Sequence, residues 1–186
     1  LGSHMIDLAH WLVGDISRVS AHLVTSVERK GADGQPLRTP ANDSALLTVE
    51  FANGACGAIV VSAMAHMAER EQFHEISLYG EDGTLELNTS SIAVQMRGVR
   101  KGQTEFETLT VPDELRMEVD LSLPLWDRFA RTMQTQSIGD RQFIDAILND
   151  QPVTPDFEDG LQVQAVIDAA LESQRWGCWV AVRARG

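Results

Sequence analysis

Ala45-Leu46-Leu47-Thr48-Val49-Glu50-Phe51 and Ala55-Cys56-Gly57-Ala58-Ile59-Val60-Val61-Ser62 flank a turn containing Asn53-Gly54. Both residues of an Asn-Gly pair tolerate positive φ, so between two apolar, β-branched runs the pair predicts an antiparallel hairpin. The same period of two recurs outward from this point. Val19-Ser20-Ala21-His22-Leu23-Val24-Thr25-Ser26-Val27 alternates ahead of a polar loop over 30–42. Glu75-Ile76-Ser77-Leu78-Tyr79-Gly80 meets Gly83-Thr84-Leu85-Glu86-Leu87 across Glu81-Asp82, a second hairpin. Ile92 to Met96 and Phe106 to Val111 add two strands around a turn spanning Gly98 and Gly102. Val24, Leu46, Val60 and Leu78 then fall on a second sheet face, away from Leu23, Leu47, Ile59 and Ile76.

From Leu123 the apolar period lengthens to about 3.6. Pro124 opens a helix with Leu125, Phe129 and Met133, and Phe143, Ile144, Ile147 and Leu148 mark another, stopped before Pro152. A last helix starts near Asp156, presents Leu161, Val163, Val166, Ile167, Ala170 and Leu171, and ends at Gly177. Cys178-Trp179-Val180-Ala181-Val182 reads as a closing strand. The order predicts an α+β fold: a large, mostly antiparallel mixed sheet with helices packed on one face. The other face carries Val, Leu and Ile with nothing in the chain left to cover it. A homodimer or homotetramer through that open face is therefore expected.

The composition narrows the partners. A length of 186 residues allows one domain, 1–186, with a sizeable core. The formal charge of −12 argues against a nucleic-acid surface and an anionic membrane. No apolar run approaches the ~20 residues that span a bilayer. The two cysteines, Cys56 and Cys178, have no metal-ligand spacing, so no metal is expected. Both lie in apolar segments and read as buried thiols of a reducing, cytoplasmic compartment. No strand leads into G-x-G-x-x-G and a helix, so the dinucleotide fingerprint is missing. The chain does not begin with methionine, and its first residue need not be the start of the gene.

The candidate site lies in Gly2-Ser3-His4-Met5-Ile6-Asp7-Leu8-Ala9-His10-Trp11-Leu12-Val13-Gly14. Ser3 can cap a helix there and Gly14 can end it. Met5, Leu8, Ala9 and Leu12 are expected to face the core, with His4, Asp7, His10 and Trp11 on the adjoining flank. An imidazole one turn from a carboxylate can hold or move a proton near neutral pH. From spacing alone, the reading in which His4 only caps the helix and Asp7 favours its positive end stands ahead. Gly-Ser-His-Met also matches the residues that tag cleavage leaves behind. Against that origin, Leu1 precedes the string and the helical pattern runs through it.

Both ends of the chain resemble one family. Gly2-Ser3-His4-Met5-Ile6-Asp7 with Trp11-Leu12-x-Gly14 is similar to the signature that opens the second domain of glucose–fructose oxidoreductase/inositol dehydrogenase/MocA-type (Gfo/Idh/MocA) enzymes. Phe51-Ala52-Asn53-Gly54-Ala55-Cys56-Gly57 and Gly80-x-x-Gly83-Thr84-Leu85 resemble its central hairpins. Phe143-Ile144-x-Ala146-Ile147, Pro152-Val153-x-Pro155, Asp159-Gly160, Asp168-Ala169 and Ser173 resemble its closing helices. The resemblance implies the substrate-binding and oligomerisation half of an NAD- or NADP-dependent oxidoreductase acting on a sugar, polyol or related cyclic alcohol. It implies His4 as the catalytic histidine beside the substrate hydroxyl, with the motif's aspartate one residue before Leu1. Asp7, which can orient His4 or bind a substrate hydroxyl, and Trp11 follow as substrate-binding candidates, although for Trp11 a packing role stands ahead of a sugar platform. The cofactor-binding glycines and the Glu-Lys-Pro lysine belong to an N-terminal Rossmann domain absent from these residues. With the resemblance added, the catalytic reading of His4 moves ahead of the cap. The competing reading is a non-catalytic sugar-binding or oligomerisation module.

Overall fold

Helix α1 (Gly2–Val13) ends where Gly14 turns the chain into strand β1 (Ile16–Val24). The computed structural model describes residues 2–37, 41–68, 73–90, 94–112 and 122–183. Leu1 and Ile92, placed above before a helix and at the start of a strand, lie outside them. Two compact units divide the chain, one from 1–65 with 154–186 and the other from 66–153.

In the first unit, β1 pairs antiparallel with β2 (Ser44–Phe51), and β2 with β3 (Cys56–Ser62) around the expected Asn53-Gly54 turn. The short β8 (Val180–Ala181) closes the sheet on the far edge of β1, in the order β3-β2-β1-β8. Helix α4 (Phe157–Trp176) and α1 pack on one face of this sheet. Val19, Leu47, Val49 and Ile59 face them, and Ile6, Val163, Val166, Ala169 and Ala170 complete the core. A bulge lets Ile16 join that core: the register shifts between Ile16 and Arg18, so Ser17 is the extra residue. Ile16 then lies opposite buried Phe51, while Arg18 and Glu50 pair on the open face.

The open face carries the rows His22–Leu46–Val60 and Ser20–Thr48–Ala58. Leu46 and Val60 are exposed there, Val60 to 68 %. Arg18 donates from both Nε and Nη2 to Glu50 and lies 5.0 Å from the centre of the Trp179 ring. Its hydrogen bonds hold the Glu50 carboxyl below the usual carboxylate range and raise its own pKa. Cys56 and Cys178 are both exposed, against the expectation of buried thiols. Cys56 alternates with Gly57 onto the open face, and Cys178 follows the left-handed cap Gly177 in the turn to β8.

In the second unit, β4 (His74–Gly80), β5 (Gly83–Thr89), β6 (Val94–Arg100) and β7 (Glu107–Thr108) form an antiparallel sheet in sequence order. Its register puts Leu78 beside Leu85 and Ile76 beside Leu87 and Met96. Leu78 therefore shares a face with Ile76, two residues away, and does not belong to a second face as expected above. The opposite face is polar, with Glu86 and Arg97 paired across strands. Gly98 is no turn residue either: β6 runs through it. A Cβ there would stand 3.1 Å from Leu85 Cδ2 and 3.2 Å from Leu109 Cδ1, so the close approach selects glycine. Helices α2 (Leu125–Thr135) and α3 (Asp140–Asn149) pack on each other in this unit. No helix among the described residues is long and apolar enough to cross a membrane.

Candidate functional site

Helix α1 turns Met5 and Ala9 to the core as its spacing suggests, but not Leu8 and Leu12. Ile6 is the fully buried residue, with Met5, Ala9 and Val13 packed beside it. Leu12 is 37 % exposed and Leu8 turns to the flank. The helix is apolar at seven of nine positions between Met5 and Val13, so the sequence period leaves its rotation open. The contacts with β3 and α4 settle it.

That rotation brings the candidate residues together. His4, Asp7, His10 and Trp11 line one open cleft of about 1020 Å³ between α1 and the N-terminal half of α4. A second groove, of about 910 Å³ along α4 and β8, contains none of them. Within the cleft, His4 and Asp7 are exposed and Trp11 is 79 % exposed. The Ser3 hydroxyl stands 3.2 Å from His4 Nδ1. This contact engages one ring nitrogen and leaves Nε2 for a ligand. Ser3 thus serves the imidazole from inside the first turn and does not cap the helix, which already includes Gly2.

Spacing places His10 on the flank, and the structure gives it a distinct environment. Its side chain is 13 % exposed, and neither ring nitrogen finds a hydrogen-bond partner among the described residues. The nearest carboxylate, Asp15 Oδ1, is 3.7 Å from Nδ1. The far wall of the cleft is the start of α4. Asp156 caps that helix by accepting from the N–H groups of Glu158 and Asp159, and Asp159 Oδ2 in turn accepts from the Asp156 N–H. These two carboxylates are engaged in holding the wall, whereas Asp7 is free of such bonds among the described residues. Among the described residues that line the cleft there is no lysine or arginine, and its carboxylates and imidazoles can accept from hydroxyl donors.

Two residues escaped the sequence reading. Asp43 is 4 % exposed, and its Oδ2 accepts from the N–H groups of Ser26 and Val27. Burial pushes its carboxyl up, but those N–H groups and the Arg29 charge outweigh burial and hold it below the usual carboxylate range. Its only signal in sequence is an Asn-Asp pair just ahead of an apolar strand. Asn53, read as a turn residue, also donates from Nδ2 to the carbonyl of Val13 at 2.8 Å. Nothing local announces a bond across 40 residues.

Among the described residues, no group of three or more His, Cys, Asp or Glu side chains is placed to hold a metal ion. The described strands pair only antiparallel. They hold no strand–turn–helix unit in which backbone N–H groups cradle a dinucleotide's phosphates. The described residues therefore do not fit the nicotinamide cofactor's phosphate site.

Residues 1–182 match the family described as "Oxidoreductase family, C-terminal alpha/beta domain". A levoglucosan dehydrogenase of Pseudarthrobacter phenanthrenivorans is 27 % identical over 98 % of this chain and 50 % of its own length. An uncharacterised oxidoreductase of Synechocystis is 26 % identical over 98 % of this chain and 48 % of its own. Among solved structures, a levoglucosan dehydrogenase in complex with NADH and L-sorbose superposes with a TM-score of 0.76. It is 25 % identical over 99 % of this chain and 50 % of that one. The chain spans about half the length of the relatives it matches.

Proposed function

Because the chain belongs to this oxidoreductase family as its C-terminal alpha/beta domain, we propose that it is the substrate-binding half of an NAD- or NADP-dependent dehydrogenase acting on a sugar, polyol or related cyclic alcohol. The observation that carries this reading is the meeting of His4, Asp7 and Trp11 in one cleft. In it, Nε2 of His4 takes the proton of the substrate hydroxyl, the general-base task that imidazoles most often perform. Asp7 accepts from neighbouring hydroxyls, and the exposed face of Trp11 packs on the ring. The relative named levoglucosan dehydrogenase, seen in one structure with L-sorbose, supports a polyhydroxyl substrate. The cofactor supplies hydride chemistry when bound, and its phosphates belong to a partner half that these residues do not form.

In the same proposal, residues 1–186 act as one substrate-binding and oligomerisation domain of a cytoplasmic enzyme. Homodimers or homotetramers form through the open sheet face with Leu46 and Val60, whose apolar area is otherwise left in water. The exposed free thiols suit a reducing compartment. The test is His4→Asn in the full-length protein. We expect kcat to fall about 10²- to 10⁴-fold with little change in substrate affinity. A variant with near-normal kcat would leave His4 a structural residue and favour the sugar-binding module.

A further inference from the structure

We propose that Asn53, in the turn between β2 and β3, is a positioning residue that sets the place of helix α1 on the sheet. The end of any helix leaves carbonyl groups without intrahelical partners. In α1 the carbonyl of its last residue, Val13, accepts from Asn53 Nδ2 at 2.8 Å. Beyond the helix, the Ala52 N–H reaches the carbonyl of Asp15 at 2.7 Å. Two consecutive turn residues thus grip the chain on either side of Gly14, whose φ of +124° releases it from the helix.

The orientation of the Asn53 amide is decided by its partners. Its Oδ1 accepts from the Ala55 N–H at 3.0 Å while its Nδ2 faces the Val13 carbonyl. A flipped amide would set oxygen against oxygen at one end and N–H against N–H at the other. The turn itself is anchored. The Gly54 N–H bonds the Phe51 carbonyl, the Phe51 N–H bonds the Ala55 carbonyl, and the Phe51 ring lies in the core.

Along its length α1 is otherwise held by Met5, Ile6, Ala9 and Val13. Apolar packing is non-directional. The bonds from Asn53 and Ala52 at the C-terminal end add directional contacts that fix the axial register. His4 lies nine residues before Val13, about 14 Å along the same rod at ~1.5 Å per residue. Misplacing a reacting group by ~1 Å can cost about 10²-fold in rate. The consequence for turnover rests on the reading of His4 given above; the clamp rests on the hydrogen bonds alone.

Asn53→Asp in the full-length protein separates clamp from turn. Asp-Gly forms the same kind of hairpin turn, and the carboxylate still accepts from the Ala55 N–H. The donor to Val13 is lost, and a negative charge faces the negative end of α1. We expect amide exchange in the last turn of α1 to rise about tenfold, with the Phe51 and Ala55 amides unchanged. We also expect the His4 ring resonance to shift. Ile59→Val, which loosens the core beneath α1 but leaves the Asn53 bond intact, should shift that resonance less. Asn53→Gly, which keeps a hairpin-forming turn and removes the side chain, is the second variant if the first does not fold. Wild-type exchange in α1, or an equal shift of the His4 signal in Ile59→Val, would overturn the clamp. Neither readout uses turnover, so failure of the catalytic reading of His4 remains distinguishable from failure of this one.

Discussion

Replacing Ile6 by alanine tests which face of α1 is buried, and through it the aim of His4, Asp7 and Trp11 into the cleft. Ile6 is 2 % exposed and packs against the sheet and α4. The substitution removes three carbons from a closed site. At about 0.8 kcal/mol for each, the transfer loss alone is about 2.4 kcal/mol. The residual cavity adds to it, for a total of about 3–4 kcal/mol, within the range of such core truncations. Leu12→Ala removes as many carbons from a side chain already half in water and leaves no closed cavity. Its cost should stay below about 1.5 kcal/mol. The assay is urea unfolding of the full-length protein, following the transition of the unit that contains residue 6. The Ile6 variant should lose about 1 M in midpoint with its slope unchanged, and the Leu12 variant less than half of that. Equal losses, or a larger loss for Leu12→Ala, would refute the helix rotation described above.

The depressed Asp43 carboxyl gives a pH signature. Since its folded pKa lies below the ordinary value, its contribution is present at neutral pH and is lost as pH falls through the depressed value. Asp43→Asn should therefore lower Tm by a few degrees at pH 7, and the gap from wild type should close below about pH 4. A gap constant across the titration would count against the ionised carboxylate as the group that ties Ser26 and Val27. Val60→Glu probes the open sheet face. If two copies meet there, a charge at a site 68 % exposed in the single chain should weaken association by about 10²-fold or more without lowering Tm of the monomer. Light scattering that finds the same mass for both proteins, or a monomeric wild type, would remove this face as the interface.

Much of the fold was legible because its signals are local. Asn53-Gly54 between two runs of period two yields the β2–β3 hairpin, and Glu81-Asp82 yields β4–β5, within a few residues of each turn. Asp156 and Gly177 bound α4 as capping chemistry predicts. The candidate cleft residues were legible as a flank of α1, since helical spacing puts His4, Asp7 and Trp11 together wherever the helix packs.

Tertiary contacts decided the rest. The rotation of α1 went to Ile6 over Leu8 and Leu12 because a helix apolar nearly all round has no preferred side until β3 and α4 supply one. Ser17 became a bulge because Ile16 and Val19 both find core partners, Phe51 and Val49, across one strand. Gly98 stayed inside β6 because Leu85 and Leu109 close over it. The bonds of Asp43 and Asn53 join residues 16 to 40 positions apart. A sequence encodes such donors and acceptors one at a time; only the folded chain selects which of them meet.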